Sequence, residues 1–144
     1  VDLAVERRNG EFVRSLITAG RVSSCHDLSD GGLAVALAEM AMAKGIGAEL
    51  DFMDVPGAHR EIPGDMPSHA FLFGEDQARY VVTCPYDEIN QLQKDAIAAG
   101  VPTWHLGSTG GEALILPGEA AVSIAALRKT HESWLPDYMA GKAA

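Results

Sequence analysis

Between Leu33 and Ala43 the chain reads Leu-Ala-Val-Ala-Leu-Ala-Glu-Met-Ala-Met-Ala, apolar throughout except at Glu39. Ala, Leu and Met are strong helix formers, so the stretch predicts a helix over Leu33–Lys44 that stops at Gly45. A helix apolar on most of its faces has to be packed on more than one side. It is the expected centre of the core, and the rest of the chain has to supply layers around it. It is also too short for a bilayer, which takes about 20 apolar residues in a row.

Other segments are punctuated by glycine and proline. Residues 3–18 show the helical spacing of Leu3, Val5, Phe12, Val13, Leu16 and Ile17, with a weak point at Asn9-Gly10 and a stop at Gly20. Pro85 opens a further helix running to Ala99 and ending at Gly100. A last helix is expected over Ala125–Tyr138. Strands are expected at 22–25, 47–52, 70–74, 79–84, 103–106 and 113–116, with a short one at 122–124. Pro56, Gly57, Pro63, Gly64 and Pro67 mark a connecting loop over 53–68. Strands in adjacent runs predict an α+β fold with a mixed or antiparallel sheet packed against helices. The length of 144 residues fits one domain, 1–144. The chain begins at Val1 inside a helical pattern, with neither a basic nor an apolar leader, and is expected to be cut from a longer polypeptide.

Composition excludes several function classes. The net charge of −9 disfavours a nucleic-acid partner. No stretch is long enough to span a membrane, so a cytoplasmic location is expected. The two cysteines, Cys25 and Cys84, stand far apart and read as buried thiols in a reducing compartment. The five histidines, at 26, 59, 69, 105 and 131, show no metal-binding spacing. Neither a nucleophile elbow nor a catalytic triad is evident.

Three segments could carry chemistry. In His26-Asp27-Leu28-Ser29-Asp30-Gly31-Gly32, Ser29 or Asp30 can cap the following helix, and Gly31 and Gly32 allow close approach to free N–H groups. Asp27 and Asp30 would repel a bare phosphate there unless a divalent cation bridged it. The plainer alternative is a well-capped helix with glycines that permit close packing. In Phe73-Gly74-Glu75-Asp76-Gln77-Ala78-Arg79-Tyr80, carboxylates and an amide stand together and could grip sugar hydroxyls, or simply form a solvated turn in which Arg79 pairs with Glu75 or Asp76. Gly107-Ser108-Thr109-Gly110-Gly111 lacks the lysine of a phosphate loop and reads as a turn between strands.

The first segment, continued through Leu33 to Glu39, resembles the H-D-x-S-x-G-G-L-x-x-x-x-x-E signature of phosphoribosylformylglycinamidine synthase. Phe73 to Val82 is similar to that family's F-x-E-S-Q-x-R-[FY]-x-V segment, and Gly107 onward resembles its G-x-[TV] turn. The resemblance runs from about residue 3 to residue 138. It implies the C-terminal domain type of the aminoimidazole ribonucleotide synthetase superfamily, and a fragment of a multidomain ligase. That ligase makes formylglycinamidine ribonucleotide from formylglycinamide ribonucleotide, ATP and ammonia in purine biosynthesis. ATP and Mg²⁺ serve the full enzyme, and none is expected to be held by this fragment alone. The implied partners are the other domains of the synthetase, a glutaminase subunit or domain supplying ammonia, and a small accessory subunit.

Family catalytic residues sit on N-terminal-type domains, so the resemblance implies neither a catalytic residue nor a metal ligand here. Its implied binding residues are Ser29, Asp30, Gly31, Gly32, Glu75, Asp76 and Gln77, at a substrate, nucleotide or degenerate site. Asp76 replaces the family's serine, which puts an added negative charge beside any phosphorylated ligand. A related synthetase or kinase, or a stand-alone binding or assembly module, are the alternatives.

Overall fold

The Asp2 carboxylate accepts from the amides of Ala4 and Val5 at 3.0 and 3.1 Å, filling donors that a helix start leaves free. In chain order the elements are α1 (Leu3–Thr18), β1 (Ser24–Asp27), α2 (Gly32–Lys44), β2 (Ala48–Leu50), α3 (Ser68–Phe73), β3 (Tyr80–Thr83), a 3₁₀ turn (Tyr86–Glu88), α4 (Ile89–Ala98), β4 (Gly107–Thr109), β5 (Ala113–Ile115), β6 (Val122–Ser123) and α5 (Ile124–Met139). The structure is a computed structural model and describes residues 2–51, 67–117 and 119–142. Most of the connecting loop expected over 53–68, with His59, lies outside the described residues. The described residues form two compact units, 2–37 with 67–105, and 38–51 with 106–142.

In the first unit β1 pairs antiparallel with β3, in the register Ser24↔Thr83, Cys25↔Val82, His26↔Val81 and Asp27↔Tyr80. Leu16, Leu28, Leu33, Ala36, Leu37, Leu72, Val81, Leu92, Ala96 and Val101 are buried and supply its core. α1 runs unbroken through Asn9-Gly10. Arg21, just beyond α1, donates to Glu88 Oε2 at 2.9 Å and to Asp95 Oδ2 at 2.7 Å, fixing the helix end to the 3₁₀ turn and α4.

In the second unit the strand order is β4-β2-β5-β6: β2 is antiparallel to β4 and parallel to β5, and β5 is antiparallel to β6. The sheet is mixed, as the pattern of adjacent strand runs predicts. A Cβ on Gly107 would lie 2.0 Å from the Glu49 carbonyl oxygen, so only glycine lets β4 lie against β2 here. Ser123 caps α5 through the Ala126 amide at 3.1 Å. Arg128 donates to the Met42 carbonyl and so fastens α5 to the end of α2. Trp134 and Tyr138, both exposed, stack one turn apart with ring centroids 5.4 Å apart.

Along α2 the residues Gly32, Leu33, Ala36, Leu37 and Ala41 are buried, while Val35, Glu39 and Ala43 form one exposed stripe at a spacing of four. The helix is thus covered on most of its faces, as its composition requires. Two strand expectations fail. Residues 70–73 fall in α3 and Gly74 caps its end; the preceding Pro67 carbonyl accepts from the Ala70 amide at 2.9 Å and starts the helix. Residues 103–106 form no strand. The strand lies instead at Gly107–Thr109, within the segment expected to be a turn.

Candidate functional site

The two acid- and glycine-bearing segments meet in the first unit. The Gly31 N–H donates to Glu75 Oε1 at 2.8 Å. A Cβ on Gly32 would stand 2.7 Å from the Gly74 carbonyl oxygen and 2.8 Å from the Phe73 carbonyl carbon. The start of α2 therefore lies backbone to backbone against the end of α3, which only glycine at position 32 permits. Gly31 and Gly32 both hold positive φ, +80° and +64°. The Gly32 amide donates to the Ser29 carbonyl at 3.0 Å, closing the turn.

The cap expected from Ser29 or Asp30 differs from what is found. Their side chains are exposed, and Glu75 from the other segment is the acceptor for the Gly31 amide. A two-glycine turn with positive φ carries Ser29 and Asp30 out to the rim, which leaves the donor to a residue distant in sequence. Ser29, Asp30, Glu75, Asp76 and Gln77 are all exposed, while Gly32 is buried.

Arg79 holds the second segment in shape. It donates through Nη1 to the Gly74 carbonyl at 3.1 Å and through Nη2 to the Phe71 carbonyl at 3.4 Å, with its guanidinium carbon 5.8 Å from the Phe71 ring centroid. Its approach to Asp76 is looser, at 3.9 Å, and Asp76 is 86% exposed, so that pair adds little. The Arg79 carbonyl accepts from the Leu28 amide at 2.9 Å, joining the two segments a second time. Asn9 of α1 donates to the Ala78 carbonyl at 3.0 Å, and Ala78 holds φ at +64°. The sequence shows Asn9 only as a weak point of α1, without its role at the second segment. Its signal was present as two poor helix formers in mid-helix.

The chemistry open to this rim follows from the geometry. A helix start with free amides attracts anions. Here the Gly31 amide already serves an internal carboxylate, with Asp30 and Asp76 exposed nearby in sequence. What the rim offers outward is a hydroxyl (Ser29), an amide (Gln77) and carboxylate oxygens, a set suited to hydroxyl groups more than to bare phosphate. Among the described residues no three His, Cys, Asp or Glu side chains stand together as a metal site. Burial, ahead of any neighbouring charge, pushes both the Cys25 and Cys84 thiols up, which disfavours the nucleophilic thiolate. In the second unit, the Gly110 amide donates to the Gly47 carbonyl at 2.8 Å and the Gly47 amide to the Gly111 carbonyl at 2.9 Å. The Gly107–Gly111 segment spends these groups on Gly47, just ahead of β2.

Comparison with known proteins agrees with this architecture. The chain is 52% identical over 143 residues to the phosphoribosylformylglycinamidine synthase subunit PurL of Allorhizobium ampelinum, and 54% identical over 140 residues to that of Methylocella silvestris. These alignments cover 99% and 97% of the chain but only 18% of either relative, so the chain spans under a fifth of their length. Among solved structures, Thermotoga maritima PurL complexed with FGAR matches with a TM-score of 0.68 at 20% identity, covering 85% of this chain and 20% of that one. The same protein complexed with ATP matches at 0.67 and 21%, covering 83% and 21%. At this identity the likeness speaks for the fold. The family model for the AIR synthase related protein, C-terminal domain, matches residues 1–116, and the chain belongs to that family.

Proposed function

We propose that this chain is a C-terminal-type domain, the second of two, in a phosphoribosylformylglycinamidine synthase, and that it is non-catalytic. In this reading it is one domain of a longer cytoplasmic polypeptide. It lends its rim, Ser29–Gly32 with Glu75–Gln77, as a wall of a ligand site that another domain completes. The observation that carries this reading is the 2.8 Å bond between Gly31 and Glu75, which joins the two candidate segments and leaves Ser29, Asp30, Glu75, Asp76 and Gln77 exposed.

The whole enzyme would join ammonia, supplied by a glutaminase subunit or domain, to formylglycinamide ribonucleotide at the expense of ATP. A small accessory subunit would complete the assembly. The identity above 50% to two PurL subunits supports that assignment, and a PurLQS complex exists for the Thermotoga maritima relative. In this reading ATP and Mg²⁺ chemistry belongs to the other domains of the synthetase. This chain's own part is to orient a ligand: Gln77 and Ser29 offer hydrogen bonds, and Asp30 and Asp76 turn away an unscreened phosphate.

The test is kinetic, in the full-length synthetase. Gln77→Ala and Ser29→Ala are expected to raise KM for the ribonucleotide, or weaken binding of a nucleotide, severalfold while kcat holds. Unchanged KM and unchanged nucleotide affinity would remove the ligand wall. A collapse of kcat at constant KM would make the domain catalytic and overturn the other half of the reading.

A further inference from the structure

We infer that Asn9 is a positioning residue for the rim, clamping the Gly74–Arg79 segment from α1. Asn9 and Gly10 are two poor helix formers side by side in the middle of a continuous helix. Each has a partner that accounts for it. The Asn9 Nδ2 donates to the Ala78 carbonyl at 3.0 Å. A Cβ on Gly10 would lie 3.2 Å from the Tyr80 hydroxyl, so the missing side chain gives the ring of the first β3 residue its room. Together they form a notch in α1 that receives residues 78–80.

What the notch holds is strained. Ala78 is the one non-glycine among the described residues with a positive φ, +64°. An L-residue returns from that region to ordinary backbone unless its surroundings over-determine it. The Asn9 bond is aimed at the carbonyl of that residue. Its other amide atom, Oδ1, is buried without a partner, so the side chain tolerates an unpaired polar atom to keep this geometry. Gln77 precedes the strained residue and Arg79 follows it. A return of Ala78 to negative φ would swing Gln77 off the rim and draw Arg79 from the Gly74 and Phe71 carbonyls that it braces.

The ligand consequence rests on the rim reading given above, but the clamp has its own readout. Arg79 is half-buried and bonded, so the Arg79–Tyr80 peptide should resist trypsin in the native full-length synthetase. Cleavage there reports local opening. In Asn9→Ala, the rate of that one cut, followed by mass spectrometry, is expected to rise about tenfold, the factor that one lost hydrogen bond commonly gives. Adding Ala78→Gly makes the left-handed conformation inexpensive and should bring the rate back toward the parent. A merely structural Asn9 would open many tryptic sites together, and Ala78→Gly would not reverse that. An unchanged rate in Asn9→Ala, or no recovery in the double variant, overturns the clamp. If cleavage follows the expected pattern, KM for the ribonucleotide decides the separate question. A parallel rise and recovery supports the rim as a ligand wall, whereas a flat KM leaves the clamp standing and removes that wall.

Discussion

The Arg21 guanidinium donates to the Asp95 carboxylate at 2.7 Å, joining the segment after α1 to the middle of α4. The Arg21 hydrogen bond, and after it the Gln91 amide, hold the Asp95 carboxyl below its usual range, and Asp95 in turn is the largest of the causes raising Arg21. A carboxyl whose folded value is depressed contributes stability above its unfolded value, about 3.9, and loses it as pH falls through the folded one. Asp95→Asn should therefore lower the melting temperature at neutral pH. The gap to the parent should close as pH drops below about 4. A gap as wide in strong acid as at neutrality would assign the loss to packing instead of charge.

Gly32 makes the closest backbone approach at the rim. An alanine there meets the Gly74 carbonyl oxygen at 2.7 Å and must also hold φ at +64°. Neither neighbour is a flexible side-chain end, so the two turns have to separate. Gly32→Ala should cost about 2 kcal/mol or more in urea unfolding. Gly20→Ala is the control: it shares a positive φ, +67°, but its Cβ would find nothing within 4 Å, so its cost should be the smaller of the two. Equal losses would mean that the rim contact carries no weight.

Much of this architecture is legible in the sequence because four long helices announce themselves by period and by glycine stops. α1, α2, α4 and α5 fall within a residue or two of expectation, apart from the 3₁₀ turn that precedes α4. The failures are short. Ala70 to Phe73 is an apolar run that period alone leaves open between strand and helix, and Pro67 was the start signal that decides it. Gly107 looks like turn punctuation, yet it is a strand residue because Glu49 of the adjacent strand comes too close for any side chain. At the site, both turns are readable, but their meeting is not. Spacing along the chain does not say that Glu75 caps α2, and the nearby Ser29 and Asp30 are the better local candidates. Tertiary structure also assigns Asn9, which local propensity can only score as a defect.

The cysteines give a chemical test of burial. Desolvation raises both thiols, reinforced for Cys25 by Asp27 and for Cys84 by Glu88. The thiolate is the reactive form, so each should alkylate more slowly at neutral pH than a free cysteine. Their rates should climb at higher pH than that of a free cysteine, and unfolding in urea should remove the difference. Fast labelling of either residue in the native protein at pH 7 would contradict the partial burial of these two thiols.

Glu75 separates two roles that the same carboxylate could play. As the acceptor for the Gly31 amide it stabilises the start of α2, and that job needs an oxygen more than a charge. Glu75→Gln keeps the oxygen and should lose little stability, while Glu75→Ala leaves the amide without its partner and should cost about 1 kcal/mol. Ligand affinity in the full-length synthetase should sort differently. If the charge itself faces the ligand, Glu75→Gln and Glu75→Ala will weaken binding alike although only one of them loses stability. If Glu75 acts solely as a cap, affinity will track stability, and Glu75→Gln will bind as the parent does. Glu75→Ala also uncovers the Gly31 amide at a helix start, so inorganic phosphate should protect that variant against thermal unfolding more than it protects the parent. Equal protection of both would show that Asp30 and Asp76 are enough to keep an anion away.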